Sequence, residues 1–479
     1  MAKKAGYPVI IEEKQISLRE KAQIEQTFGR YINKGQVAYL KAGHLDVLEA
    51  KREGIGFTDP VTQKHFIDCF SSAGSFNVGR HNPEVMKALD DAMNTVDLGA
   101  SHMVSEHKVA LAQKLVSISP GDLNRVFFAS GGGDAVDGAI KMARGASGKT
   151  GIISTIKGYH GHTGFSLSAN GKEHYRNYCE PLIPEFFFAP FNDLEAIKKL
   201  ANKDTAAIII EPIQGEAGIY SGSDQYLKGL RKLCDEIGAL LIFDEIQTGF
   251  CRTGKMFAGE HTGVIPDIMA VAKSMGGGLF ANAAVIYRDI PLLTDFIEAN
   301  PFFHPTSTGG TDLGCIVSLK AIEYLVENKM WENSEKMGAK FKDALVVLMK
   351  ENPRIIKDVR GKGLMIGIEY IHEFMGPMMS DALAKNGIFA AYSGNAPQVM
   401  RFMPPIVVND LEMDQIIAGV REAVRDMKTL LPFALLAAKF PPLLKLLNDE
   451  GVQTSLFGWV RKVEDLVGSV LQTEKGGRS

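Results

Sequence analysis

Lys273 closes a short apolar run, Pro266-Asp267-Ile268-Met269-Ala270-Val271-Ala272, and is followed by Ser274-Met275-Gly276-Gly277-Gly278. A lysine at the end of a strand is commonly a surface residue. Held in a desolvated pocket instead, it would bind its proton less tightly and its amine would become a nucleophile. Other stretches bear on the choice. In Ser130-Gly131-Gly132-Gly133-Asp134-Ala135-Val136-Asp137 an apolar run gives way to glycines, and a helix opens with acidic residues in its first turn. Such glycines let a ligand approach the backbone, and the free N–H groups of the helix start suit a phosphate. The spacing is neither the dinucleotide fingerprint nor a P-loop. Gly158-Tyr159-His160-Gly161-His162 places an aromatic where it could stack on a flat ring. Ile208-Ile209-Ile210-Glu211 ends a buried run on a carboxylate, with Glu216 in the glycine turn beyond it. Leu240-Leu241-Ile242-Phe243-Asp244 ends the most apolar run on another. A buried carboxylate is costly unless paired. Its partner could be a metal, an arginine or a protonated heterocycle. No cluster of metal ligands lies nearby, so no metal is expected. A phosphate cup, a stacking ring, a buried acid for a ring nitrogen and a lysine for an imine together specify pyridoxal phosphate.

These residues need a scaffold that delivers several strand ends to one place. From residue 125 the sequence alternates strand and helix. Strands are expected at Val126–Ala129, Ile152–Ser154, Phe186–Phe188, Ala207–Ile210, Leu240–Phe243, Ile268–Ala272 and Ala284–Tyr287. Several are continuous apolar runs, as in a mainly parallel sheet covered on both faces. The fold class is therefore α/β: a large domain with a seven-stranded, mainly parallel sheet flanked by helices, and a smaller α+β domain built from both ends of the chain. The expected divisions are 1–80 (helix over 12–50, hairpin over 54–69), 81–330 (large domain), 331–430 (small domain) and 431–479 (an apolar helical extension). A long helix is expected over 312–350.

With 479 residues and a net charge of −3, the chain has the balance of an ordinary globular protein, with no global pull towards nucleic acid. The five cysteines are scattered and form no close pair, which fits a reducing cytoplasm. Neither a signal peptide nor an integral membrane segment is expected.

Over residues 50 to 425 the chain resembles the class III (ornithine, GABA and ω-amino acid type) aminotransferases of PLP fold type I. The stretches that carry the resemblance are Phe243-Asp244-Glu245-Ile246-Gln247-Thr248-Gly249 with Arg252-Thr253-Gly254, the run from Pro266 to Lys273, Glu211-Pro212-Ile213-Gln214-Gly215-Glu216-Ala217-Gly218, and Val359-Arg360-Gly361-Lys362-Gly363-Leu364. The resemblance implies that Lys273 holds the cofactor and moves the proton, and that Asp244 faces the ring nitrogen. It implies that Gln247 lies near O3′, and that Gly132 and Gly133 form the phosphate cup. Tyr159 and Ile246 are then the residues on the two ring faces. It makes Arg401, in Val399-Met400-Arg401-Phe402, the grip for a substrate carboxylate, and Glu216 the gate that pairs with it. Ser307, with Thr308 beside it, matches the residue that reaches a phosphate in the other subunit. A homodimer with shared sites, or a higher oligomer, follows.

Three positions depart from the family pattern. Gly133 stands where Ser, Thr or Ala is usual. His162 stands where glutamate-using branches carry an arginine, which favours a pyruvate-like acceptor over 2-oxoglutarate. Gly310-Thr311-Asp312 replaces Gly-Asn-Pro. The expected activity is amino transfer between an amine or amino acid and a keto acid. His162, as a hydrogen-bonded wall residue or a second acid or base, keeps a racemase, epimerase or ammonia-lyase as the alternative.

Overall fold

The computed structural model describes residues 15–43, 45–99 and 103–438, with side chains to residue 428. All seven expected strands form and share one sheet. Their order is Leu123–Ala129, Ala283–Arg288, Ile268–Val271, Leu240–Asp244, Thr205–Ile210, Gly151–Thr155, Phe186–Ala189. Only Ala283–Arg288 runs antiparallel to its neighbours. The four strands Gly151–Thr155, Thr205–Ile210, Leu240–Asp244 and Ile268–Val271 are buried at every residue, which is why they read as unbroken apolar runs.

The helix Gly132–Ser147 covers one face of this sheet. It buries Ala135, Val136, Ala139, Ile140, Met142 and Ala143, a stripe at helical spacing. Parallel pairing sets Asp244 opposite Ala270, so Asp244 and Lys273 emerge at the same end of adjacent strands. Asp267 fixes their starts. Its Oδ2 accepts from the Leu241 N–H at 2.7 Å and pairs with Arg231 at 2.7 Å, while Oδ1 pairs with Arg288 at 3.0 Å.

The hairpin expected over 54–69 is Gly56–Thr58 with His65–Asp68. Its second strand pairs in parallel with Ile388–Phe389, tying the start of the chain to its later part. A separate antiparallel sheet, Ile356–Lys362, Met365–Tyr370, Ala396–Phe402, Ala391–Ser393, carries Arg401.

Two expectations need correction. The single helix over 312–350 is two helices, Asp312–Glu327 and Met330–Glu351, broken at Lys329 with φ of 47°. The helix over 12–50 is shorter, with helical turns from Leu18 to Ala42, and Leu18–Phe28 buries none of its side chains. The start of the expected 431–479 extension continues the helix Asp410–Ala438, and residues beyond 438 lie outside the described residues. Among the described residues no helix is long and apolar enough to cross a membrane.

Arg252, in the stretch Arg252-Thr253-Gly254, is fully buried, and among the described residues no carboxylate pairs with it. Its guanidinium donates to the carbonyls of Leu364 at 2.9 Å and Pro404 at 2.6 Å, and to Asn77 Oδ1. Burial brings its pKa down to about 9, which still leaves it charged at neutral pH. It joins three distant segments, so Arg252→Ala strands several buried acceptors at once. The expected cost is about 3–5 kcal/mol, read from the urea midpoint. A variant within about 1 kcal/mol of the parent would show that these carbonyls find other donors.

Candidate active site

A cleft of about 430 Å³ opens at the carboxyl ends of the central strands, where open α/β sheets bind ligands. Its wall includes Gly131, Gly132, Gly133, Tyr159, Glu211, Glu216, Asp244, Ile246, Gln247 and Lys273. Residues from five distant stretches of sequence thus meet in one place.

Lys273 begins a single 3-10 turn after its strand, with φ of 48°. That left-handed kink is costly for a non-glycine residue, and it turns the side chain into the cleft. Burial lowers the lysine's pKa against the opposing pull of Asp244 and Glu216. Its amine makes no hydrogen bond with any described residue.

Asp244 is buried at the end of its strand. Its Oδ1 accepts from the Ile246 N–H at 3.1 Å, and its Oδ2 lies 2.8 Å from His160 Nδ1. Burial alone would disfavour charge on His160, but the hydrogen bond and charge of Asp244 outweigh it and raise the pKa. His160 is a buried partner of Asp244 on the cleft wall that the sequence reading passed over. It stood in the quoted Tyr159-His160-Gly161-His162, next to the aromatic that was chosen. The signal was the buried carboxylate in need of a partner.

Gly132 and Gly133 open the helix Gly132–Ser147. A Cβ on Gly132 would stand 3.2 Å from Ile246, and one on Gly161, at φ of 127°, would stand 2.8 Å from the Cα of Gly133. The backbone of the cup is therefore bare and closely backed. A Cβ on Gly133 would lie 3.0 Å from the Thr163 hydroxyl, so the departure at Gly133 leaves room for Thr163.

Tyr159 lines the cleft, and burial reinforced by Glu216 and Asp244 raises its phenol to about 12, so it stays neutral. Gln247 donates to the carbonyl of Ala73 at 3.1 Å. Arg401 is buried and paired with Glu216, whose other oxygen accepts from the Gly394 N–H at 3.0 Å. Burial would raise the Glu216 pKa, but the charge of Arg401 prevails and lowers it.

Four expected site residues stand apart from the wall, Arg401 behind Glu216 and three others. His162 is exposed, with its ring edge-on to Tyr159 at 5.5 Å and to Tyr175 at 5.4 Å. Thr308 donates to Ser130 Oγ at 2.9 Å within the same chain, and both it and Ser307 are exposed. The Gly310-Thr311-Asp312 departure has a local role. Thr311 caps the helix Asp312–Glu327 through the Gly314 N–H at 3.2 Å, and Asp312 accepts from the Ser105 hydroxyl.

Glu211 is a second buried acid that the sequence reading left without a role. Its two oxygens accept from the N–H groups of Tyr159 at 3.0 Å and Gly215 at 2.9 Å, holding the turn at Tyr159 against the turn that carries Glu216. Burial pushes its pKa up to about 7, against the charge of His160 and the two N–H groups. The folded carboxyl thus keeps its proton to higher pH than the unfolded one. Its contribution to stability is fully present below about pH 4.3 and is lost as pH rises through about 7. Glu211→Gln has no such proton to lose. The wild type should therefore lose stability relative to Glu211→Gln between about pH 5 and about pH 8, measured by urea unfolding. Parallel curves would contradict this.

Comparison with known proteins follows the same geometry. The family described as aminotransferase class-III matches residues 40–424. An uncharacterized aminotransferase of Archaeoglobus fulgidus is 38% identical over 418 residues, covering 87% of this chain and 97% of that protein. The ornithine aminotransferase of Toxoplasma gondii ME49 superposes with a TM-score of 0.79 at 26% identity, over 85% of this chain and 96% of that one. A transaminase of the marine bacterium Virgibacillus superposes with a TM-score of 0.78 at 27% identity, over 85% of this chain and 100% of that one.

Proposed function

The chain belongs to the class III aminotransferase family, and we propose that within it this enzyme passes an amino group from an amine or amino acid to a pyruvate-like keto acid. Class III aminotransferases use pyridoxal phosphate. The residues of the cleft fit that cofactor. The cup at Gly131–Gly133 has no side chain to fill it, Asp244 presents a carboxylate fixed by His160, and the Lys273 amine is hydrogen-bonded to no described residue. Pyridoxal phosphate, when bound, supplies an electron sink that makes the hydrogen beside the substrate nitrogen acidic.

The chain's own residues would do the rest. Gly132 and Gly133 offer backbone N–H groups to the phosphate, and Ser307 serves the same group in a partner subunit. Tyr159 and Ile246 would flank the ring, and Gln247 would serve its O3′. Asp244 keeps the ring nitrogen protonated, with His160 orienting it. Lys273 would hold the cofactor through its amine and, once that amine is free, would move the proton from the substrate carbon. Arg401 grips a substrate carboxylate once Glu216 swings away. With an amine that lacks one, the Arg401–Glu216 pair stays closed.

One observation carries the choice of acceptor. Among the described residues Lys273 is the only lysine or arginine on the cleft wall, and Arg401 stands just behind Glu216. A single guanidinium matches a single carboxylate. A five-carbon diacid would bring a second carboxylate with no described cation to meet it. With one donor held fixed, kcat/KM for pyruvate should exceed that for 2-oxoglutarate by about tenfold or more, and the reverse order would overturn the reading. The racemase or lyase alternative called on His162 as a second acid or base, and its exposed position off the cleft wall gives that role no support.

Exposed Ser307 and the exposed apolar side chains of Met93, Leu98, Met103 and Val104 support a homodimer with shared sites. A dimeric mass in solution is expected, and a fully active monomer would contradict Ser307's role.

A further inference from the structure

The helix that opens at the phosphate cup presents Asp134 and Lys141 seven residues apart, on one face. His304, from the distant segment His304-Pro305-Thr306-Ser307-Thr308, lies between them. Its Nε2 is 2.9 Å from Asp134 Oδ1, and its Nδ1 is 3.0 Å from Lys141 Nζ. An ammonium can only donate, so Nδ1 accepts and Nε2 carries the proton given to Asp134. Lys141 also donates to the Phe303 carbonyl at 2.7 Å. The other oxygen of Asp134 accepts from the Ser130 N–H at 2.8 Å. Ser130 Oγ in turn meets the hydroxyls of Thr306 and Thr308, the latter at 2.9 Å. The chain of contacts closes on itself, from cup to helix to loop and back to cup.

We propose that His304 is a positioning residue for the cofactor: clasped between Asp134 and Lys141, it locks the 303–308 loop to the phosphate cup and so holds the cup in its binding shape. The physical reason is directional. Asp134 lies in the first turn of the helix, where an acid would compete with a phosphate for the same N–H groups. His304 and the Ser130 N–H occupy both of its oxygens. Ser130 and Gly131 both line the cleft, so any slack in Asp134 passes directly into the cup. The same loop brings the hydroxyls of Thr306 and Thr308 to Ser130 Oγ and leaves Ser307 exposed between them. The inference rests on the cofactor reading of the cup and is independent of the choice of amino donor or acceptor.

The test is equilibrium dialysis of the holoenzyme against graded pyridoxal phosphate, with bound cofactor assayed after release. His304→Ala should raise Kd by about tenfold or more, the scale of one charge-assisted hydrogen bond. His304→Gln can still accept from Lys141 and donate to Asp134, so it should stay within about threefold of the parent. The double variant Asp134→Ala/His304→Ala should bind no more weakly than Asp134→Ala alone. If His304→Ala does not fold by circular dichroism, Lys141→Met carries the test, with Kd raised by about threefold or more. A Kd within about twofold of the parent in His304→Ala or, failing that, in Lys141→Met overturns the proposal, as do losses that multiply in the double variant. A parent enzyme that retains no pyridoxal phosphate would instead sink the cofactor reading itself.

Discussion

Lys273→Ala removes turnover, by about 10²–10⁴-fold from lost proton transfer alone, and abolishes the covalent trapping of cofactor by borohydride. The reasoning begins with the backbone. Lys273 occupies a left-handed conformation at the end of a fully buried strand, and the kink delivers an amine to the floor of the cleft. Burial lowers its affinity for a proton, so the neutral, nucleophilic form is more accessible than for a surface lysine. No described side chain within the cleft could replace it. Arg401 is paired with Glu216, and His160 is committed to Asp244. Folding should be intact, because removing the side chain strands no hydrogen-bond partner. Residual trapping of the cofactor in the alanine variant would mean that another amine holds it.

Asp244→Asn should lower kcat/KM by about 10²–10³-fold, the scale of a charge aimed at the reacting system in a water-poor site. The amide keeps nearly the shape of the carboxylate but loses its charge. Two consequences follow. On the proposed reading, the ring nitrogen would lose the anion that keeps it protonated. His160 also loses the hydrogen bond and charge that raise its pKa, and burial then favours its neutral form. Cofactor binding through the cup and Lys273 should survive, so the defect appears in chemistry rather than in occupancy. The absorbance of bound cofactor together with kcat/KM separates the two. Parent-like kcat/KM in the variant would show that the ring nitrogen need not be charged.

Much of this site was legible before any coordinates, for a physical reason. A strand buried on both faces must be apolar throughout, so a single charged residue at its end is conspicuous. Asp244, Glu211 and Lys273 all declared themselves that way. The glycines at 131–133 were legible as a break between an apolar run and a helix, and they lie on the cleft wall. His160 was harder, since one histidine in a polar turn carries no pattern. Only the pairing of strand ends brings it to Asp244. The clasp at His304 was hidden for the same reason, because Asp134 and His304 are joined across 170 residues. The break at Lys329 has neither proline nor glycine to announce it. Along Leu18–Phe28 the apolar spacing was real, yet that helix buries none of its side chains, so periodicity alone overstated its packing. The position of His162 could not be read either. The residue beside a cleft aromatic can point outward, and here it packs edge-on against Tyr159 and Tyr175 at the rim.

The most direct measurement of the central claim is the first half of the reaction on its own. Purified enzyme loaded with pyridoxal phosphate is mixed with an amino donor and no keto acid, and the keto product, the released ammonia and the configuration of the remaining donor are followed. An aminotransferase yields one keto product per active site and stops until a keto acid such as pyruvate is added. Continued product with ammonia release, or loss of chirality without nitrogen transfer, would contradict the assignment.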